Sequence, residues 1–262
     1  MFANIWQYRQ FIYSCVKRDF QLRYTGSMLG ALWAVFQPLA MILVYTLVFS
    51  EIMKSKLQGM EMMQFAYSIY LCSGVLTWGL FAETLNGCVN VFLANGNLMK
   101  KVSFPRICLP VIAMLSALSN FVVGFGLFLA FLLLVGQFPW TVGIFFFLVL
   151  AIQTLFSVTL GIGLGVLNVF FRDVGQMLGV ALQFWFWFTP VVYPAVIVPE
   201  SLRGFFVINP MYHIVSAYQS IFVYHRCPEL EGLGAVLVLG LVIGVWALRI
   251  YRKHVGEMVD EL

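Results

Sequence analysis

A chain of 262 residues of which 62% are hydrophobic and only 10% are charged does not have the composition of a soluble globular protein, in which about a quarter of the residues are charged. The composition predicts a polytopic membrane protein. The net charge of +4 does not indicate a nucleic-acid partner, because the basic residues flank apolar segments instead of forming one patch.

Residues 4–24 have the pattern of an amphipathic helix. Apolar side chains such as Ile12 and Val16 recur at helical spacing, and polar side chains gather on the opposite face. Because the segment is also basic, we expect it to lie in the membrane surface, as an N-terminal unit of residues 1–29 ahead of a transmembrane domain of residues 30–262. Its role is either that of a simple anchor or that of a guide for an anionic substrate.

Six apolar segments follow, and each is long enough to cross a bilayer as a helix, which takes about 20 residues. The fold class predicted is therefore all-α, with six transmembrane helices. The segments are residues 30–53, 65–89, 107–135, 142–170, 176–192 and 233–250.

Two features inside these segments are informative. Glu83 is the only carboxylate well inside a predicted span, so it either has a functional role or reaches the membrane interface near the end of the span. Gly161, Gly163 and Gly165 are small residues on one predicted helix, which favours close approach of its neighbours.

Basic residues predict the orientation of the chain. With the N-terminus in the cytoplasm, eleven of the fifteen Lys and Arg residues fall on the cytoplasmic side, and six spans return the C-terminus there. The eleven are Arg9, Lys17, Arg18, Arg23, Lys100, Lys101, Arg106, Arg172, Arg249, Arg252 and Lys253.

Residues 94–106 form a substantial polar break between spans. The sequence Asn95-Gly96-Asn97 favours a turn, and Lys100, Lys101 and Arg106 follow it. This segment is either a loop that merely obeys the positive-inside rule or a short helix presented to a cytoplasmic partner.

Residues 183–210 begin as an apolar run dense in aromatic rings and are then broken by Pro190, Pro194 and Pro199. Non-helical backbone is tolerated at membrane depth only where it is buried in protein or lines a water-filled cavity. The segment is therefore either an interfacial aromatic belt with a proline-rich turn or a helix that ends in a re-entrant cap over a ring-lined passage. With the N-terminus inside, this region faces the external side.

Motifs for chemistry are missing from the sequence. It has no GxxxxGK[ST] loop for ATP, no HExxH or GxSxG motif, and no paired His or Cys cluster, so we expect no catalytic residues, no metal and no cofactor in this chain. Charged residues within the spans are too sparse for a proton relay or an ion filter. What remains is a membrane scaffold rich in Phe, Trp and Tyr, whose faces suit a sugar polymer that slides lengthwise.

A set of loosely defined motifs, in fixed order relative to the spans, carries a resemblance to a known family. The chain resembles the permease of ABC-2-type polysaccharide exporters, the group that exports O-antigen, capsular polysaccharide and teichoic acid. The motifs are Lys17-Arg18-Asp19, Arg23-Tyr24, Gly30 and Trp33, Gln37-Pro38, Asn97-Leu98, Lys100-Lys101, Phe104-Pro105, Phe171-Arg172-Asp173, Pro190-Val191, Tyr193-Pro194, Pro199 and Asn209-Pro210-Met211.

The resemblance implies an assembly. It implies a homodimer of this chain with two copies of a separate ABC ATPase subunit, which would bind ATP and Mg, in the bacterial cytoplasmic (inner) membrane. It implies that a lipid-linked polysaccharide is carried from the cytoplasm to the outer leaflet.

The resemblance also implies roles for four groups of residues. Residues 94–106 would contain the coupling helix, the N-terminal helix would lie at the tunnel entrance, and residues 190–224 would form the external gate. The coupling residues are Asn97, Leu98, Lys100, Lys101, Phe104, Pro105 and Arg106; the entrance residues are Arg18, Arg23 and Tyr24; the gate residues are Pro190, Pro194, Pro199, Asn209 and Pro210; the channel aromatics are Trp33, Trp185, Trp187 and Tyr193.

Two other functions stay open. An ABC-2 exporter of a lipid or drug would need a large amphipathic pocket in place of a continuous tunnel. A membrane-embedded transferase on lipid-linked sugars would need clustered Asp or His at one membrane face, and the sequence has no such cluster.

Overall fold

The computed structural model describes residues 6–24, 30–48, 65–101, 104–195 and 199–261. Regular structure within these ranges is helical and includes no strand, which confirms the all-α class. The helices are α1 Arg9–Tyr24, α2 Trp33–Tyr45, α3 Ala66–Ala94, α4 Gly96–Lys101, α5 Cys108–Val135, α6 Phe145–Phe170, α7 Asp173–Trp187, α8 Glu200–Ile208, α9 Pro210–Phe222, α10 Leu230–His254 and α11 Glu257–Glu261.

Three of these helices, α5, α6 and α10, are long and apolar enough to cross a membrane, and they coincide with the third, fourth and sixth predicted spans. A shorter apolar helix, 33–48, lies in the first predicted span, whose residues 49–53 fall outside the described ranges. The second predicted span lies within α3, which continues to Ala94.

The fifth predicted span differs most from the structure. Residues 176–192 are mostly apolar, but α7 ends at Trp187 after 15 residues, a length of about 22 Å. Pro190 has no backbone N–H to continue the helix, and the chain turns over residues 188–193. The non-helical segment of the sequence therefore starts earlier than hydropathy alone indicated.

Helices α3 and α6 form the centre of the bundle. Helix α3 packs against α5, α6 and α9, while α6 also packs along α10, and α2 and α1 both lie against α5. The largest cluster of buried apolar side chains lies between α3, α5, α6 and α9 and includes Phe81, Phe128, Phe156 and Tyr218.

The glycines of α6 allow this close packing on two sides. A Cβ at Gly161 would lie 2.5 Å from Cys88 Cβ, and one at Gly165 would lie 2.7 Å from the Cys88 carbonyl oxygen, both on α3. A Cβ at Gly163 would lie 2.9 Å from Trp246 of α10. The motif thus brings two helices against α6, as its small residues predict.

Replacing Gly165 by Ala should lower stability by about 1–3 kcal/mol, because the added methyl group would push α6 away from the backbone of α3. The measurement is the thermal unfolding midpoint of the purified protein in detergent. Gly126→Ala is the matched control, since nothing lies within 4 Å of a Cβ at that position. Equal midpoints for the two variants would contradict the packing argument.

Candidate functional site

The turn after α7 has its carbonyl groups bound by side chains of α3 and α9. The Tyr70 hydroxyl lies 3.0 Å from the Pro190 carbonyl oxygen and 2.9 Å from that of Tyr193, and the Tyr67 hydroxyl donates to the Val192 carbonyl oxygen at 2.9 Å. Gln219 of α9 donates to Pro190 as well, at 3.3 Å. The non-helical backbone is thus buried in protein, one of the two environments in which it is tolerated between apolar helices.

Asn209 joins the end of α7 to the start of α9. Its Oδ1 accepts from Trp185 Nε1 at 2.8 Å and from the Met211 backbone N–H at 3.0 Å, so it caps α9 while it holds the indole. Its Nδ2 donates to Thr189 Oγ1 at 2.9 Å and to the Phe188 carbonyl oxygen at 3.1 Å. Pro210 follows at the first helical position, where a missing N–H costs nothing.

The four predicted channel aromatics lie in different environments. Trp185 packs edge-on against Phe81, with 5.1 Å between ring centroids, and is partly buried in the core. Trp187 is 59% exposed, and its carbonyl oxygen accepts from the partly buried Tyr193. Trp33 is 42% exposed on α2, beside Phe36. Which of these rings faces a channel stays a prediction.

Two predicted gate residues and one predicted channel aromatic line the same cavity. A cavity of about 300 Å³ lies between α7 and α8–α9, and its lining brings together Trp185, Asn209 and Pro210. Pro190 is buried under α9, and Pro199 precedes α8 on the exposed side. Pro194 is half-buried, and residues 196–198 lie outside the described residues. The cavity is also lined by Phe188, Phe205, Phe206 and Ile208.

The predicted coupling region contains the short helix α4. Asn97 and Lys100 are exposed on it, whereas Met99 is buried. Leu98 packs at the edge of the second apolar cluster of the protein. The side chain of Lys101 and residues 102–103 lie outside the described part of the chain.

The segment after α4 is anchored to both ends of the chain. The ring of Phe104 lies 5.4 Å from that of Phe11 on α1, centroid to centroid, and Pro105 is half-buried. Arg106 Nη1 donates to the Val255 carbonyl oxygen at 2.6 Å. The C-terminal helix α11 contacts α4 and buries Met258 completely.

A polar cluster ties α1, α3 and α5 together at Glu83. Arg23 Nη1 lies 2.6 Å from Glu83 Oε1. The contact is an ion pair whose angles do not meet those of a hydrogen bond. Asn120 of α5 donates to Glu83 Oε2 at 2.9 Å. The predicted entrance residue Tyr24 ends α1, but its side chain lies outside the described part of the chain.

The other predicted entrance residue, Arg18, lies in a second polar contact. Its guanidinium is 3.6 Å from the carboxylate of Asp19, which also accepts from Ser116 of α5 at 3.3 Å. Burial raises the pKa of the nearby Cys15 thiol, so that it stays neutral.

Ser116 and Asn120 were not identified from the sequence as members of the polar cluster. Two polar residues spaced by one helical turn inside an apolar span are the signal that could have identified them.

Comparison with known proteins bears directly on this arrangement. The sequence profile of the family described as ABC-2 type transporter matches residues 10–223, from α1 to the end of α9. The chain belongs to the ABC-2 type transporter family. The match includes the polar cluster, the predicted coupling region and the turn after α7.

Named relatives of this ABC-2 type chain cover nearly its whole length. It is 34% identical to the O-antigen export system permease protein RfbA of Myxococcus xanthus over 99% of this chain and 98% of that protein. It is 26% identical to an O-antigen export system permease protein RfbA of Klebsiella pneumoniae, over 90% of this chain and 88% of the other. The polysialic acid transport protein KpsM of Escherichia coli is 22% identical over 92% of each chain.

In this ABC-2 type chain, Asn209→Ala should lower stability by about 1–3 kcal/mol, because it leaves the N–H of the partly buried Trp185 without its acceptor, removes the donor to the buried Thr189 Oγ1 and removes the cap of α9. Thermal unfolding in detergent measures the loss. Trp185→Phe removes only one of these hydrogen bonds and retains a smaller aromatic ring, while Asn209 keeps its bonds to Met211, Thr189 and Phe188, so its effect should be smaller. An Asn209→Ala protein as stable as the wild type would show that the junction does not depend on this amide.

Proposed function

We propose that this chain is the membrane permease subunit of an ATP-driven transporter that exports a lipid-linked polysaccharide, of the O-antigen class, across the bacterial cytoplasmic membrane. The observation that carries the proposal is the 34% identity, over almost the full length of both chains, to a protein named as an O-antigen export permease. Aromatic side chains around the turn after α7 fit this cargo, because flat rings offer apolar faces to sugar rings without fixing the register of a moving polymer.

The assembly we propose is a homodimer with two copies of an ATPase subunit and six spans in each protomer. The sequence contains no GxxxxGK[ST] loop, so ATP hydrolysis requires another chain. Helices α2, α3 and α7 supply the three spans beyond α5, α6 and α10, and both termini lie in the cytoplasm. Exposed apolar side chains on one face of α7 suit a second protomer or lipid; they include Met177, Val180 and Phe184.

Helix α3 provides a mechanical link in this proposal. Its 29 residues span about 43 Å, from Tyr67 and Tyr70 at one end to α4 at the other. At the first end the two hydroxyl groups hold the carbonyl groups of the turn after α7. At the second end α4 presents Asn97 and Lys100 for an ATPase subunit. A movement of α4 on ATP binding would then pull on the proposed external gate.

The proposal is tested by deletion of the gene and purification of the tagged chain in mild detergent. Deletion should abolish surface polysaccharide while the polymer accumulates inside the cell, and a protein with a GxxxxGK[ST] loop should co-purify in equal amount. Normal surface polysaccharide after deletion would contradict the proposed cargo and favour a lipid or drug, for which the open cavity of about 560 Å³ beside α1 has a suitable volume. A homomer without any ATPase would contradict the proposed energy source.

Trp187→Ala should reduce polysaccharide export and leave the complex assembled, because the exposed Trp187 ring has the better access to a passing glycan, whereas Trp185 is engaged within its own chain. The measurement is surface polysaccharide per copy of transporter in cells that carry only the variant. Trp140→Ala, which removes a 79% exposed ring from the turn between α5 and α6, is the matched control. Export equal to that of the control would remove Trp187 from the channel.

A further inference from the structure

Two cavities meet at the side chain of Glu83. The larger, of about 560 Å³, lies between α1, α3 and the start of α5. The smaller, of about 350 Å³, lies between α2, α3 and the middle of α5. Glu83 lines both of them, and Asn120, which donates to its carboxylate, lines the smaller one. The carboxylate therefore stands at the boundary between the two spaces.

The Arg23–Glu83 ion pair connects two sides of the larger cavity. Helix α1 packs along α5, and the cavity occupies the space between α1 and α3. Arg23, in the last turn of α1, crosses this space to meet Glu83 at 2.6 Å. The side chains are 43% and 28% exposed, so a ligand in the cavity has access to the guanidinium.

The charges around the larger cavity balance. Its lining contains two cations, Arg18 and Arg23, and two carboxylates, Asp19 and Glu83. An anion therefore gains a full positive charge only if one carboxylate withdraws. Each carboxylate keeps a neutral donor when its arginine leaves, Asn120 for Glu83 and Ser116 for Asp19. Glu83 is the one that also lines the smaller cavity, into which its carboxylate can withdraw.

We propose that the larger cavity binds a phosphate-bearing lipid headgroup, which takes the place of Glu83 on Arg23 and thereby joins the two cavities. The guanidinium fork suits phosphate oxygens. Asn90 and Asn95 add polar surface to the lining, although their Nδ2 groups already donate to the carbonyl oxygens of Asn86 and Val91. The inference rests on the proposed function, in which the polysaccharide is linked to a lipid. The phosphate comes from one of two sources, a polyprenyl diphosphate carrier or an ordinary anionic phospholipid.

The exchange predicts that Arg23→Gln and Glu83→Gln change the affinity for the headgroup in opposite directions. An ion pair with a purely structural role does not predict this difference. Arg23→Gln removes the phosphate ligand and should weaken headgroup binding by about tenfold or more. Glu83→Gln removes the competitor, so a larger fraction of molecules has Arg23 free and binding should tighten by about threefold to tenfold. If the pair only fastened α1 to α3, both substitutions would break it and both would weaken binding.

The experiment uses the full chain in phosphatidylcholine nanodiscs, with polyprenyl diphosphate titrated in and bound lipid counted by native mass spectrometry. Arg9→Gln is the matched control, because it removes one positive charge from the same helix away from the cavity and should leave the affinity unchanged. Size-exclusion elution and the thermal midpoint establish that each variant is folded. The double variant Arg23→Gln/Glu83→Gln should bind as weakly as Arg23→Gln alone.

A second set of nanodiscs, which contain phosphatidylglycerol, distinguishes the sources. Displacement of phosphatidylglycerol by polyprenyl diphosphate at equal concentration supports the carrier as the ligand. Tighter retention of phosphatidylglycerol would overturn the link to cargo loading. The proposal is overturned as a whole if Arg23→Gln binds like the wild type or if Glu83→Gln binds more weakly. Loss of export on gene deletion together with unchanged binding by Arg23→Gln would remove this site and leave the proposed function intact.

Discussion

Backbone carbonyl groups in an apolar setting need hydrogen-bond donors, and the structure of the chain after α7 depends on that requirement. Once α7 ends ahead of Pro190, the carbonyl oxygens of Pro190, Val192 and Tyr193 have no intrahelical partner. Tyr67 and Tyr70 of α3 and Gln219 of α9 supply the donors. The position of the turn is thus set by two other helices, and those helices must stay in register with each other for it to persist.

The same requirement explains why α3 is at the centre of the protein. It carries the donors for the turn at its first end, packs on the glycines of α6 along its middle, presents Glu83 toward α1 and α5, and leads into α4. Gly74 of α3 has no room for a side chain, because a Cβ there would lie 2.7 Å from the Val191 carbonyl oxygen. One rigid element therefore contacts every region to which the family resemblance gives a role.

Hydropathy correctly predicted the helices whose positions depend on local composition. It failed where contacts with residues distant in the sequence determine where a helix ends. Helices α5, α6 and α10 appear where their apolar runs lie, because length and composition are properties of the segment itself. The end of α7 was predicted too late, since the apolar run does not reveal the acceptor groups that α3 binds. Glu83 was recognised as an unusual carboxylate, but its partner Asn120 depends on the rotation of two helices about their axes. The inward packing of Trp185 could not be predicted for the same reason.

The contact between α4 and the segment that follows α10 affects the order in which parts of the protein can fold during synthesis. The short helix α4 rests on α11, and Arg106 binds the carbonyl oxygen of Val255, about 150 residues further along the chain. During synthesis α4 emerges long before that support exists. The surface of α4, which we propose as the contact for an ATPase subunit, is therefore complete only after translation has passed Met258, so a prematurely terminated chain would present α4 without its support.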